Sequence, residues 1–273
     1  MITLIRGFGN HSNRLIQSVH FEAYCIENNY KFKSLDFDDM APLYDGCVGF
    51  KRNFWDRLLF VGLKIVRKIQ NKSIFKPFRI YDYDLLERDG KVKPRDGSFV
   101  CGWNFRQDEL VKKYQNVFQQ KYKLRKVLYE NNPFVRDFLS EKESSVCVGF
   151  HIRRGDYKEW NGGIWYYEKE EYIDIFKKLE RFLSAKHSGK KIIFYIFSNE
   201  DVCSWFDNFS DVRISKNEWF IDQFLMSQMD YLMGPPSTFT MWASYIGLVP
   251  LCFIEKADAK IDGDSFKVVE AAS

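Results

Sequence analysis

The sequence predicts an α/β protein built on parallel sheets of the doubly wound kind. Three observations carry that prediction. Strand-like apolar runs alternate with helix-like segments through the second half of the chain. The run from Val146 to Ile152 is almost continuously apolar and includes Gly149, as in a strand covered on both faces. The chain also opens with strand, helix and strand in quick succession, a βαβ start.

The elements follow in order. Ile2 to Ile5 is a short strand, and Arg6-Gly7-Phe8-Gly9-Asn10 is the loop after it. Ser12 or Asn13 is placed to cap the next helix. That helix shows Leu15, Ile16, Val19, Ala23 and Ile26 at helical spacing and stops near Asn28-Asn29. Tyr30 to Leu35 is a second strand. From 36 to 100 one segment has a clear character: Phe54, Trp55, Leu58, Leu59, Val61, Leu63, Ile65, Val66 and Ile69 form a basic amphipathic stretch. Lys91 to Asp96 has loop composition. Asp108 to Leu139 is helical in parts, with Pro133 interrupting. After the strand ending at Ile152, a polar loop holds Gly155, Gly162 and Gly163. Tyr172, Ile173, Phe176, Leu179 and Leu183 make a helix that ends near Gly189. Ile192 to Phe197 is a strand, Ile221 to Asp230 a short helix, Tyr231 to Met233 a short strand. Thr238 to Tyr245 is a helix closed by Gly247, and Val249 to Ile254 is the last strand.

A chain of 273 residues suits one large or two modest domains. The expected division is 1–143 and 144–273. Apolar residues make up 45% and charged residues 29%, a globular, soluble composition. No apolar run reaches about 18 residues, so no spanning helix is expected, and the N-terminus is too short for a signal peptide. None of the six cysteines forms a C-x-x-C pair; Cys25, Cys147 and Cys252 sit in apolar runs, where a thiol acts as a small hydrophobe. The expected location is the cytoplasm, including the inner face of the membrane.

The net charge of +4 is too small for a general nucleic-acid binder. It is unevenly placed, however. Between Lys51 and Arg79 nine basic residues stand against Asp56 alone, a net +8, which leaves the rest of the chain at −4. Two readings are open for 51–79: a helix with a solvated basic face, or a peripheral contact with anionic headgroups.

The sharpest local feature is His151-Ile152-Arg153-Arg154-Gly155-Asp156-Tyr157, where a buried strand gives way to a loop. Ligands of open α/β sheets bind outside the carboxyl ends of strands. Two adjacent guanidiniums there suit a phosphate, since the planar fork matches its oxygens. An Arg–Asp ion pair closing a turn is the simpler alternative. A second feature is Gly234-Pro235-Pro236-Ser237-Thr238-Phe239, between a short strand and a helix. Ser237 or Thr238 there either caps the helix or, with the free N–H groups of its first turn, meets a phosphate. A third, Phe197-Ser198-Asn199-Glu200-Asp201, follows another buried strand. It is either a helix start with acids in its first turn or a polar contact with base or ribose. A fourth, Gly7-Phe8-Gly9-Asn10-His11, is not G-x-G-x-x-G, because position 12 is Ser, but its two glycines let backbone approach a ligand. Three D-x-D pairs, Asp36-Asp38, Asp82-Asp84 and Asp262-Asp264, are of a kind that holds a metal–diphosphate, though so short a pattern arises by chance. The four histidines have no metal-ligand spacing. There is no G-x-S-x-G elbow and no P-loop, which sets a P-loop kinase aside.

Taken together, these blocks resemble the α-1,2-fucosyltransferase family. His151 to Tyr157 is similar to its H-x-R-R-G-D-Y signature. Asp222-Gln223-Phe224-Leu225-Met226-Ser227, then Ser237-Thr238-Phe239-Thr240-Met241-Trp242-Ala243-Ser244-Tyr245, resemble its D-x-x-x-M-S and S-T-F-x-W-W-A blocks, with Met241 in place of the first tryptophan. Phe197 to Asp201 is similar to its F-S-D-D segment, and Gly7 to Asn10 to its G-x-G-N loop. Residues 40 to 140 carry no match.

The resemblance implies two Rossmann-like domains facing across a cleft (GT-B type). It implies transfer of fucose from GDP-fucose to a glycan hydroxyl, with inversion, no cofactor and no required metal. The linkage would be α-1,2 and the acceptor a surface polysaccharide or oligosaccharide, including a lipid-linked one. By motif position Arg153 would hold the diphosphate, with His151 and Arg154 ordering the site and Ser237 and Thr238 meeting the phosphate. Ser198, Asn199, Glu200 and Phe239 complete the expected donor-binding set. Gly7, Phe8, Gly9, Asn10 and His11 form the acceptor side. Asp156 and Glu159, close to Arg153 in sequence, are the candidates to take the acceptor proton, and Asp156 could instead anchor an arginine. Two rivals are a metal-dependent glycosyltransferase using another nucleotide sugar and a non-catalytic glycan-binding module. The second leaves the paired arginines without a role.

Overall fold

The computed structural model describes residues 1–69, 80–84, 86 and 92–271. The C-terminal part of the basic stretch, 70–79, and the start of the loop expected at 91–96 lie outside them. The chain forms two compact units, Met1–Arg125 with Glu270–Ser273, and Lys126–Val269.

The first unit contains strands β1 (Ile2–Leu4), β2 (Phe32–Ser34), β3 (Ile80–Asp82) and β4 (Phe99–Cys101). Its helices are α1 (His11–Glu27), α2 (Phe54–Ile69), α3 (Asp108–Lys113) and α4 (Gln115–Lys121). The strands are all parallel, in the order β2-β1-β4-β3. Each strand is only three residues long, and alternation puts neighbouring side chains on opposite faces of the sheet. On one face Ile2, Leu4 and Val100 pack against Phe21 and Cys25 of α1 and against Phe105, whose ring stacks on Phe21 at 4.4 Å. On the other, Ile5, Leu35 and Cys101 meet Phe60 and Leu63 of α2. The N-cap of α1 lies two residues before Ser12 and three before Asn13, the expected caps. Asn10 stands at its N-cap and Arg14 N–H bonds the Asn10 carbonyl at 3.1 Å, so Ser12 and Asn13 lie inside the helix.

The second unit contains α5 (Pro133–Lys142), β5 (Ser145–Ile152), α6 (Lys169–Lys186), β6 (Lys191–Ser198), β7 (Val212–Ile214), α7 (Trp219–Met226), β8 (Tyr231–Gly234), α8 (Thr238–Gly247) and β9 (Leu251–Phe253). Its sheet is parallel throughout, in the order β7-β6-β5-β8-β9. The helix α6 forms because Tyr172, Ile175, Phe176, Leu179 and Leu183 recur at helical spacing and all five are buried. Its start is fixed by the Glu171 carboxylate, which accepts the Glu168 N–H at 2.7 Å. Phe176 meets Phe150 of β5 edge-on at 5.5 Å. Truncating such a ring to Ala costs about 3–5 kcal/mol.

The units divide at 125/126, whereas the sequence suggests 143/144. The reason is α5, whose buried Val135 and Phe138 lie in the second unit. Phe138 packs edge-on against Tyr195 of β6 at 5.1 Å, and Glu141 pairs with Arg213 of β7 at 2.6 Å. Pro133 does not interrupt a helix; it opens one, behind an Asn132 side chain that accepts the Val135 N–H. The helix expected over Ile221–Asp230 ends earlier, at Met226. The short strands β3, β4 and β7 were not visible in the sequence.

The second sheet's order has a physical consequence. From β5 the chain builds outward through β6 to β7, then crosses back to add β8 and β9 on the other side. The crossovers leaving β5 and entering β8 therefore diverge, and a crevice opens at the carboxyl ends of those two strands. In the first sheet, the carboxyl ends of the adjacent β1 and β4 hold a similar position.

Candidate functional site

In the second unit, β5 delivers His151 and the Arg153–Tyr157 loop to the crevice, and β8 delivers Gly234–Ser237. His151 closes the floor. It is 4% exposed, its ring lies 5.6 Å from that of Phe239, and Nδ1 has no hydrogen-bond partner among the described residues. Burial, with the Arg153 charge second, pushes its pKa down to about 3, so it is a neutral imidazole at physiological pH. Gly234 lies alongside; a Cβ there would come within 2.8 Å of His151 Cβ and 3.1 Å of its carbonyl oxygen.

The two arginines have different environments. Arg154 is 15% exposed. Its guanidinium reaches Glu168 at 2.9 Å and Glu200 at 3.2 Å, bonds the Tyr166 hydroxyl, and lies over the rings of Tyr166 and Trp205. Arg153 is 28% exposed, and its side-chain partners are Asp156, 2.9 Å away, and the face of Tyr157 at 5.7 Å. Its backbone is held by Tyr172, whose hydroxyl accepts the Arg153 N–H at 3.2 Å. Arg154 is thus held on several sides, and Arg153 is the more exposed of the two guanidiniums.

The segment Ser198-Asn199-Glu200, at the end of β6, braces this loop. Asn199 Oδ1 accepts the Arg154 N–H at 3.1 Å, Glu200 Oε1 accepts the Gly155 N–H at 3.0 Å, and Ser198 Oγ accepts the Glu200 N–H. Gly155 is required here: its φ is +40°, and a Cβ would meet Asn199 Nδ2 at 2.6 Å. Ser237 caps α8, accepting the Phe239 N–H at 3.2 Å, so both the cap and the helix N-terminus lie at the β8 edge. Thr238 and Phe239 form the first turn of that helix.

Tyr157 was not singled out as a site residue. Its hydroxyl donates to the Pro236 carbonyl at 2.5 Å, which ties the β5 loop to the β8 loop beneath Arg153. The signal was present as the last letter of the H-x-R-R-G-D-Y block. Asp222 is a second such residue, quoted for the resemblance but given no role. It is buried on α7 and bonded by the hydroxyl of Ser215, just past β7, and burial raises its pKa to about 7. Glu159 is exposed, between two short 3-10 turns.

In the first unit, the Gly7–His11 loop lies where β1 ends. Asp36 accepts the Gly7 N–H at 3.0 Å, and Gln17 accepts the Phe8 N–H at 2.9 Å while donating to the Gly102 carbonyl at the end of β4. Phe8 is exposed and stacks on Trp103 at 5.0 Å, and Arg106 lies over Trp103 at 3.9 Å. Asn10 is exposed at the helix start, and burial, then the Arg14 charge, lowers the pKa of His11.

Five of the six D-x-D carboxylates have structural partners, and Asp264 is exposed. Asp36 holds Gly7, and Asp38 accepts the Arg52 N–H at 2.6 Å. Asp82 and Asp84 order the β3–β4 ends, and Asp262 caps Ser265. Among the described residues no group of three or more His, Cys, Asp or Glu side chains is placed to hold a metal ion, and no helix is long and apolar enough to cross a membrane.

No protein-family model matches the sequence, and no curated protein matches it. Solved structures do. An Arg-to-Lys mutant of Arabidopsis thaliana FUT1 in complex with GDP superposes with a TM-score of 0.61 at 11% identity, over 97% of this chain and 72% of that one. The NodZ α-1,6-fucosyltransferase co-crystallised with GDP gives 0.60 at 12% identity, over 92% and 94%. Fucosyltransferase NodZ from Bradyrhizobium gives 0.59 at 12% identity, over 93% and 94%. The chain shares their fold. It is an α/β protein with parallel sheets, as the alternation of strands and helices predicts, and its two Rossmann-like units are of the GT-B type that the resemblance implies.

Proposed function

We propose that this chain transfers fucose from GDP-fucose to a glycan hydroxyl, with inversion and without a required metal. One observation carries the reading: a partly open guanidinium, Arg153, stands at the switch point of a parallel sheet beside the N-terminus of α8. The fold is shared with structures holding GDP and, for NodZ, with one soaked with GDP-fucose at a TM-score of 0.55.

The chemistry follows from those groups. The acceptor oxygen attacks the anomeric carbon from the face opposite the diphosphate. The bond from that carbon to the β-phosphate oxygen breaks, and its electron pair goes to the phosphate. Arg153 receives the growing charge as a two-pronged donor, and the N–H groups at the start of α8 add a positive dipole end. His151, neutral and with Nδ1 unpaired, supplies a polar floor without a second charge. We assign Arg154, Asn199 and Glu200 to bracing the loop, since their side chains are engaged with it. Asp156 is ion-paired with Arg153 and anchors it; Glu159, exposed and three residues on, takes the acceptor proton. The α-1,2 linkage rests on the His151–Tyr157 and Ser237–Tyr245 resemblances, and the acceptor side on Gly7–His11 with Phe8 and Trp103.

Calorimetry with GDP, UDP and ADP tests the donor class, and transfer from GDP-fucose with EDTA present tests the metal. GDP bound in clear preference and transfer unaffected by chelation are expected. Preference for UDP, or activity abolished by EDTA and restored by manganese, would replace the proposal with a metal-dependent transferase.

A further inference from the structure

The helix α2 has two apolar faces, and the described residues of its own unit cover only one. Phe60 and Leu63 turn inward onto Ile5, Leu35 and Cys101. Phe54, Trp55, Leu58, Leu59 and Val61 are exposed, Trp55 at 75% and Phe54 at 67%. At about 100° per residue these five, with Gly62 among them, span an arc of roughly 160° centred opposite Phe60. A stripe this wide with no partner among the described residues is unusual on a water-exposed helix.

The charge around the stripe identifies what fits it. Asp56 is the only acid between Lys51 and Arg79, and it is turned inward. Lys33 pairs with it, and the backbone N–H of Asn53 donates to it at 3.0 Å. Lys51 and Arg57 remain exposed, and the segment as a whole carries nine basic residues. The outer face therefore offers aromatic and aliphatic side chains bordered by cations, and its one anion is withdrawn. A protein surface would need an acidic apolar groove to match it, whereas a bilayer interface rich in anionic lipid supplies both an apolar depth and a negative plane. Trp and Phe sit at the level of the headgroups in such interfaces.

We propose that α2 lies in the plane of an anionic membrane with Phe54, Trp55, Leu58 and Val61 inserted, holding the protein peripherally at the lipid surface. The contact uses no residue of the strand-end loops, so it stands or falls apart from the transfer reaction.

The test is co-sedimentation of the full chain with phosphatidylcholine vesicles, with and without about a third phosphatidylglycerol. The wild-type protein is expected to pellet with the anionic vesicles, weakly with the neutral ones, and less as salt rises. The double variant W55E/L58E changes two side chains already in water, so its circular dichroism and melting temperature should match wild type. Its partition is expected to fall by about tenfold or more. Wild-type protein that stays in the supernatant with anionic vesicles, or a double variant that pellets equally, would overturn the proposal. So would a lipid-free dimer in light scattering that the double variant abolishes, since a second copy would then cover the face.

Discussion

Replacing Arg153 with Lys keeps a positive charge and removes the fork. The ion pair it makes in the folded protein is exposed, with Asp156 at 59%, so its loss costs at most about 1 kcal/mol of stability. For a chain of this size that is a shift of roughly 2–4 °C in Tm. The kinetic cost is different in kind. Losing one well-aimed donor to a developing anion lowers kcat by about 100- to 1000-fold, which corresponds to roughly 3–4 kcal/mol of transition-state stabilisation. Ground-state binding of GDP retains the charge interaction, so Kd should weaken by no more than about tenfold. The assay is steady-state transfer from GDP-fucose, run beside GDP calorimetry and a thermal melt on the same preparation. A near-normal kcat in R153K would remove Arg153 from the departing phosphate. A drop in Tm much beyond 5 °C would show instead that the residue holds the loop together, as Arg154 does.

Four further substitutions check other parts of the argument. G234A should lower stability by about 1–3 kcal/mol in urea titrations, because its Cβ meets two parts of His151 with little room to shift. D156N should leave the melt nearly unchanged and tighten GDP several-fold, because it removes a carboxylate that competes with phosphate for the Arg153 fork. E159Q should lower kcat without changing GDP affinity; the opposite split between the two carboxylates would exchange their roles. The Asp222 pKa, raised by burial from about 3.9 to about 7, means that the folded state holds a proton which the unfolded chain releases. Stability should therefore fall as pH rises from about 4 to 7, by an amount on the order of 4 kcal/mol. D222N should flatten that slope, and urea titrations at the two ends of the window check it.

What could be read from the sequence depended on element length. The strands β5 and β6 run for eight residues each and α6 for eighteen, long enough for an apolar run or a helical period to stand out. The strands β3, β4 and β7 are three residues each, and they lack the flanking aliphatic residues, such as Ile5 after β1 and Ile254 after β9, that lengthen the run of an equally short strand. Motif positions at strand ends were legible because strand and loop adjoin in sequence, as at Ile152–Arg153. The bracing role of Asn199 and Glu200 was not. It depends on β5 and β6 lying in register, His151 opposite Phe197 and Ile152 opposite Ser198, so that two loops 45 residues apart meet. The unequal roles of the two arginines were hidden for the same reason, because Glu168 and Tyr166, which hold Arg154, come from the far end of the following loop.

That inequality explains why the pair is adjacent. Two free guanidiniums side by side would repel and spread, and neither would have a fixed direction. Here Arg154 is matched by Glu168 and Glu200, so its charge is spent within the protein and its backbone becomes a rigid post. Arg153 inherits that rigidity through the peptide bond and through Tyr172, yet keeps a solvent-facing side opposed by one exposed carboxylate, that of Asp156. The surrounding cluster then has more carboxylates than guanidiniums, so net charge does not draw a diphosphate to this edge. On the proposed function, recognition comes instead from a few directed donors, the Arg153 fork and the first turn of α8, held in place by the Tyr157–Pro236 tie. A site built on directed donors favours a ligand whose charge grows at one oxygen over a ligand that is merely anionic, which is the distinction a leaving diphosphate requires.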